Sequence, residues 1–142
     1  MNRTAIHFDD VSYAFMYVSA GAPGENEAHL CLHKGTFHFH TVIGDNEEPL
    51  PKDVADASKY LPVPHRYDLD LGQQLVRDFT DEFLPDEQDQ VRDIFRHRGA
   101  YRRFKDFLYR RDMLDAWHRY QQRREDEAAR QWCADNGVEL LD

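Results

Sequence analysis

Cysteine is nearly absent: Cys31 and Cys133 stand alone in 142 residues, with no CxxC spacing and no disulfide framework. That excludes a small secreted fold stapled by bridges and fits reduced thiols in a cytoplasm. Long apolar runs are missing as well. The longest uncharged stretch, 11–24, is too short for a bilayer and ends among Gly and Pro, so no membrane association is expected. No signal-peptide pattern is read at the N-terminus, and a soluble cytoplasmic protein is the expectation. Positive charge is in deficit, with 18 Lys and Arg against 27 Asp and Glu for a net charge of −9, which argues against a general DNA-coating role. There is no HExxH, no GxSxG, no phosphate loop and no GxGxxG, so the familiar hydrolase, nucleotide and dinucleotide chemistries have no motif to stand on. Repeats, low-complexity tracts and linkers are lacking too. The chain, 41% hydrophobic and 13% aromatic, is long enough for a single domain, 1–142, with a real core.

What is present is a strong helical signal over 99–132. Ala100, Tyr101, Phe104, Phe107 and Leu108 recur at helical spacing after Gly99. Asp112 then reads as the N-cap of a second helix whose seam is Met113, Trp117, Tyr120, Arg124, Ala128 and Trp132, ending at Asp135-Asn136-Gly137. Upstream, Phe8, Val11, Phe15 and Val18 mark a helix with Asp9 and Asp10 in its first turn, although the alternation of Val11, Tyr13, Phe15 and Tyr17 allows a strand. Leu71, Leu75, Phe79 and Phe83 mark another, opened near Asp68 and Asp70 and closed before Pro85, and Asp86 is placed to cap a short one carrying Val91, Ile94 and Phe95.

The clearest β signal is the pair 28–33 and 36–40 around Lys34-Gly35, a two-residue hairpin turn. In that register His33 faces Thr36, Cys31 faces His38 and His29 faces His40. Leu30, Leu32, Phe37 and Phe39 then share a greasy face, leaving His29, Cys31, His33, Thr36, His38 and His40 on the other. Residues 41–59 read as an acidic, Pro-containing surface loop, and 60–64 as an edge strand, since its prolines cannot donate to ladders on both sides. The expected fold is therefore α+β: a small antiparallel sheet, hairpin 28–40 plus the edge strand, packed by about five helices.

Several segments carry a family resemblance. Gly21-Ala-Pro-Gly-Glu-Asn-Glu-Ala28, Gly44-Asp-Asn-Glu-Glu48, 60–64 with His65, Asp68-Leu-Asp-Leu-Gly72, Gly99-Ala-Tyr101, Phe104-Lys105, Leu114-Asp115 with Trp117, and Trp132-Cys133 before Asn136-Gly137 together resemble the bacterial Uncharacterised Protein Family 0158. The resemblance implies no activity and no site residues, and it does not extend to the hairpin histidines.

Two surfaces invite chemistry. His29, Cys31, His33, His38 and His40 project from one side of paired strands whose opposed side chains lie about 5 Å apart, close enough to share zinc or nickel, although parallel side chains on an open face do not converge as a ligand shell does. The bland alternative is a polar, exposed sheet face. Secondly, 96–124 holds ten basic and three acidic residues, a local +7 against −16 elsewhere. Arg102, Arg103, Lys105, Arg110, Arg111, Arg119 and Arg123 could bind an anion or an acidic partner, with Tyr101, Tyr109, Trp117 and Tyr120 available to stack on bases. A solvated face, or a docking site for the acidic 41–59 loop, is the plainer reading. Paired carboxylates such as Asp78, Asp81 and Glu82 read as a wetted helix face. The leading functional expectation is a binding or adaptor module without catalysis and without a cofactor, its partner a protein. The alternatives are a metal-binding, hydrolytic protein using the histidines, and nucleic-acid binding through the basic segment.

Overall fold

The structure, a computed structural model, describes residues 5–142. Among these are five α-helices, α1 (Phe8–Ser19), α2 (Gln73–Phe83), α3 (Gln88–Ile94), α4 (Ala100–Arg110) and α5 (Leu114–Asp135), and three strands, β1 (Asn26–Cys31), β2 (Phe37–Thr41) and β3 (Tyr60–Pro62). The strands form one antiparallel sheet in the order β2-β1-β3, so the fold is α+β. The chain gathers into two compact units, one running through Leu69 and completed by Asp126–Asp142, the other Asp70–Glu125.

In the first unit the hairpin separates its faces as alternation requires. The register pairs Asn26 with Thr41, Glu27 with His40, Ala28 with Phe39, His29 with His38 and Leu30 with Phe37. This corrects the expected pairing by two residues. The connection is not the two-residue Lys34-Gly35 turn but a four-residue one, 32–35, in which the Gly35 N–H donates to the Cys31 carbonyl and the Cys31 N–H to that of Thr36, both at 2.8 Å. Gly35 has φ +70°, which a residue without Cβ adopts freely. Because the slip is even, no strand residue changes face. His33, however, leaves the sheet for the turn, and Thr36 flanks that turn just before β2.

Ala28, Leu30 and Leu32 are buried on the greasy side. They meet Phe8, Val11, Ala14 and Val18 of α1, Ala129 and Cys133 from the end of α5, and Val63 beyond β3. Strand β3 behaves as an edge: the Val63 N–H donates to Ala28 and the Leu32 N–H to Lys59, both at 2.9 Å, which leaves Pro62 facing outward where its missing N–H is not needed. The chain's two ends close this unit. Ile6 pairs with Leu140, the Phe8 N–H at the start of α1 donates to the Asp142 carboxylate at 2.8 Å, and the Arg130 guanidinium lies 3.9 Å over the Phe8 ring. Behind α1, buried His65 accepts the Tyr67 N–H at Nδ1 (3.1 Å) and donates from Nε2 to the Gly21 carbonyl (2.8 Å), a pattern that fixes its tautomer.

The second unit is an aromatic core. Trp117 stands edge-on to Phe79 and Phe104, with centroids at 5.2 and 5.1 Å, and Tyr120 packs on Phe79 at 5.3 Å. Three helix starts differ from expectation. Asp68 and Asp70 do not open α2: Arg66–Leu69 is a 3₁₀ turn and Asp70 has φ +56°, so the helix begins at Gln73. Asp86 lies in the 3₁₀ turn Pro85–Glu87 and caps nothing. Asp112, also at φ +56°, closes α4 instead of opening α5. The Met113 N–H reaches the Leu108 carbonyl at 2.9 Å and the Asp112 N–H that of Tyr109 at 3.1 Å, the paired bonds of a left-handed helix stop. Along α5 the expected seam holds at Trp117 and Tyr120; farther on the buried residues are Ala129 and Cys133, while the expected Ala128 and Trp132 are half-buried.

Candidate functional site

The hairpin's polar face is built around a residue that the sequence reading passed over. Glu27, one alternation before His29, holds its carboxylate 3.1 Å from His29 Nε2 and 3.6 Å from His40 Nδ1, the latter an ion-pair distance rather than a hydrogen bond. His29 is largely covered, its side chain 12% exposed. The Nδ1 atoms of His29 and His40 have no hydrogen-bond partner. His38 faces His29 across the ladder and stands edge-on to Tyr60 with centroids 5.9 Å apart. Cys31 is buried beside Tyr60 on the β3 side, and His33 is exposed in the turn. Of the five candidates, His29, His38 and His40 are brought together on the polar face, whereas Cys31 is buried and His33 lies in the turn. Among the described residues no three His, Cys, Asp or Glu side chains group so as to hold a metal ion. Two imidazoles sharing one carboxylate is what the face offers.

The basic candidates divide between two roles. Arg102, Arg103, Lys105 and Arg110 on α4, and Arg119 and Arg123 on α5, are exposed. Arg111 is drawn inward, its Nε donating to Glu87 at 2.6 Å while its guanidinium lies 3.6 Å over the Phe107 ring. Arg124 likewise bonds Asp78 at 3.1 Å and the Tyr120 hydroxyl at 2.6 Å. Of the aromatics offered for stacking, Trp117 and Tyr120 are buried core, and Tyr101 and Tyr109 remain at the surface. A groove of about 540 Å³ between α2 and α3 is lined by Arg77, Arg92 and Arg96. Arg92 and Arg96 are already paired with Asp89 and Asp93, and Gln88 bonds Asp81 across the groove.

A cleft of about 400 Å³ in the first unit has a different character. Its floor is aromatic. Tyr13 and Tyr17, one turn apart on α1, stand edge-on to Phe39 at 5.5 and 4.9 Å, and Phe37 stacks beside Phe39 at 6.3 Å. Its far wall is the loop Asp45, Asn46, Glu47, Glu48 and Pro49, with His38 completing the lining. Three carboxylates therefore overlook four aromatic rings, and among the described residues no Lys or Arg lines the space. Asn46 anchors that wall: its side-chain oxygen accepts the Thr41 N–H at 2.8 Å and its amide donates to the Thr41 carbonyl at 3.0 Å, so a side chain stands in for a neighbouring strand. In sequence Phe37 and Phe39 read as the greasy face of the hairpin, Tyr13 and Tyr17 lie off the expected helix face, and the acids read as loop surface. Only the presence of four rings on a face next to an acidic loop could have joined them.

Residues 46–141 match the family described as Uncharacterised protein family (UPF0158). No curated protein and no solved structure matches the chain.

Proposed function

For a chain that belongs to the Uncharacterised protein family (UPF0158), we propose a non-catalytic, cytoplasmic binding or adaptor module whose cleft over β2 takes a cationic group presented by a protein partner. The observation that carries this reading is the lining itself, four aromatic rings below Asp45, Glu47 and Glu48 with no Lys or Arg among the described residues that line it. Aromatic faces attract ammonium groups by about 0.5–2 kcal/mol each, more as water is excluded, and nearby carboxylates add attraction at longer range. An isolated cation held this way binds on the order of millimolar, whereas a peptide that presents one adds its own contacts.

The test is a two-dimensional NMR titration with tetramethylammonium, a probe that carries charge and methyl surface but no hydrogen-bond donor. Shifts confined to Tyr13, Tyr17, Phe39 and the 45–49 loop are expected, and they should weaken in Tyr13→Ala and in Glu48→Gln. Both positions are exposed, so neither change threatens the core. Saturating probe with no shift at those residues would refute the reading.

A further inference from the structure

The backbone beside the cleft carries a second kind of information. In the order β2-β1-β3 both outer strands are edges, but they are unequal templates. Strand β3 is three residues long and places Pro62 outward, so it offers no N–H there. On β2 the bonds from Cys31 to Thr36 and from Val42 to Glu25 fix which pairs exchange hydrogen bonds with β1. By the alternation of an antiparallel ladder those pairs continue at His29 with His38 and Glu27 with His40. Phe37, Phe39 and Thr41 therefore turn their N–H and C=O groups away from β1. Asn46 already occupies both groups of Thr41. Phe37 and Phe39 are left, about 6.8 Å apart along the edge, as a two-residue register with no main-chain partner among the described residues.

Resting on the reading of the cleft above, we propose that this edge accepts an extended, lysine-containing peptide as a fourth strand. The partner's main chain pairs with Phe37 and Phe39, and its lysine side chain lies over Tyr13, Tyr17 and Phe39 beneath the acidic loop. The two halves of the site enforce one another. A residue opposite Phe39 in an added strand projects its side chain onto the same side of the sheet as Phe39, which is the cleft floor. Charge chooses the side chain: Asp45, Glu47 and Glu48 reject an acidic peptide and favour a basic one. Asn46 sets the end, because a strand extending past Phe39 toward Thr41 meets groups that are already paired.

The experiment uses the full chain and a capped peptide of about six residues, the usual strand length, alternating Thr and Val around one central Lys. Its twin carries backbone N-methyl groups on the edge that faces β2, removing main-chain donors and leaving the lysine. We expect the parent peptide to shift the Phe37 and Phe39 amides and slow their hydrogen exchange, and the N-methylated twin to bind about tenfold more weakly or worse. Substituting the lysine by Glu should abolish binding. If both peptides bind alike, strand addition is overturned although the cleft retains its cation. If the Glu peptide binds as well as the Lys peptide, the charge argument is overturned. If neither peptide binds while tetramethylammonium still shifts the cleft residues, the inference fails alone; if tetramethylammonium fails as well, the parent reading fails with it.

Discussion

Replacing Asn46 by alanine isolates one mechanism, a side chain that terminates a sheet edge. The two bonds to Thr41, 2.8 and 3.0 Å, are solvent-exposed, so each contributes at the low end of a net hydrogen bond and together they hold the edge by about 1–2 kcal/mol. Among the described residues these are the bonds that join the Asn46 side chain to β2, so the loss should be local. Native-state hydrogen exchange of the Thr41 amide reads it directly. Protection should fall roughly 5- to 30-fold in Asn46→Ala while amides of β1 keep theirs. Asn46→Asp separates the two bonds: a carboxylate still accepts the Thr41 N–H but sets an oxygen against the Thr41 carbonyl, so protection of that amide should fall less than in the alanine variant. Unchanged Thr41 exchange in Asn46→Ala would show that the loop is held by something other than this pair and would remove the end-stop invoked for strand addition.

Burial pushes the Cys133 thiol up from 9.0 to about 11, partly offset by Arg130. A raised folded-state value means its stabilising contribution is full below about pH 9 and is lost as pH rises toward about 11, by up to about 2–3 kcal/mol. Urea midpoints across that window should drop less in Cys133→Ala than in the parent. His65→Ala removes the part-buried bonds to the Gly21 carbonyl and from the Tyr67 N–H and should cost about 1–3 kcal/mol in thermal unfolding; an unchanged melting point contradicts the clasp. At Asp112, φ +56°, glycine should be neutral or stabilising by up to about 1 kcal/mol, whereas valine should destabilise by about 1–2 kcal/mol, and equal melting points for the two would refute the left-handed stop.

Much of the fold was legible in the residues because it rests on period and face. Val11 and Val18 needed only the helical repeat, and Leu30 with Phe37 only the alternation of a strand. The faces of the hairpin came out right even with the wrong register, since an even slip conserves them. What failed was local chemistry with two solutions. Aspartate serves both as an N-cap and as a tolerated left-handed residue, and at Asp70 and Asp112 the second use won. A glycine after lysine suits a two-residue turn as well as a four-residue one, and only the partner strand's position decides. The candidate cleft was invisible for another reason. Tyr13 and Tyr17 lie off the expected face of α1, and the rings become a floor only because β2 has no neighbour on one side and the loop that follows it folds back with its acids.

The joining of Ile6 to Leu140 and of Phe8 to Asp142 has a consequence for synthesis. As the chain emerges, α1 and the hairpin exist long before Ala129, Cys133 and Val138, which cover their oily side. Translation at roughly 5–20 residues per second therefore leaves that side bare for several seconds while 70–125 is being made. The aromatic-cored segment, a compact unit of its own, can collapse in the meantime.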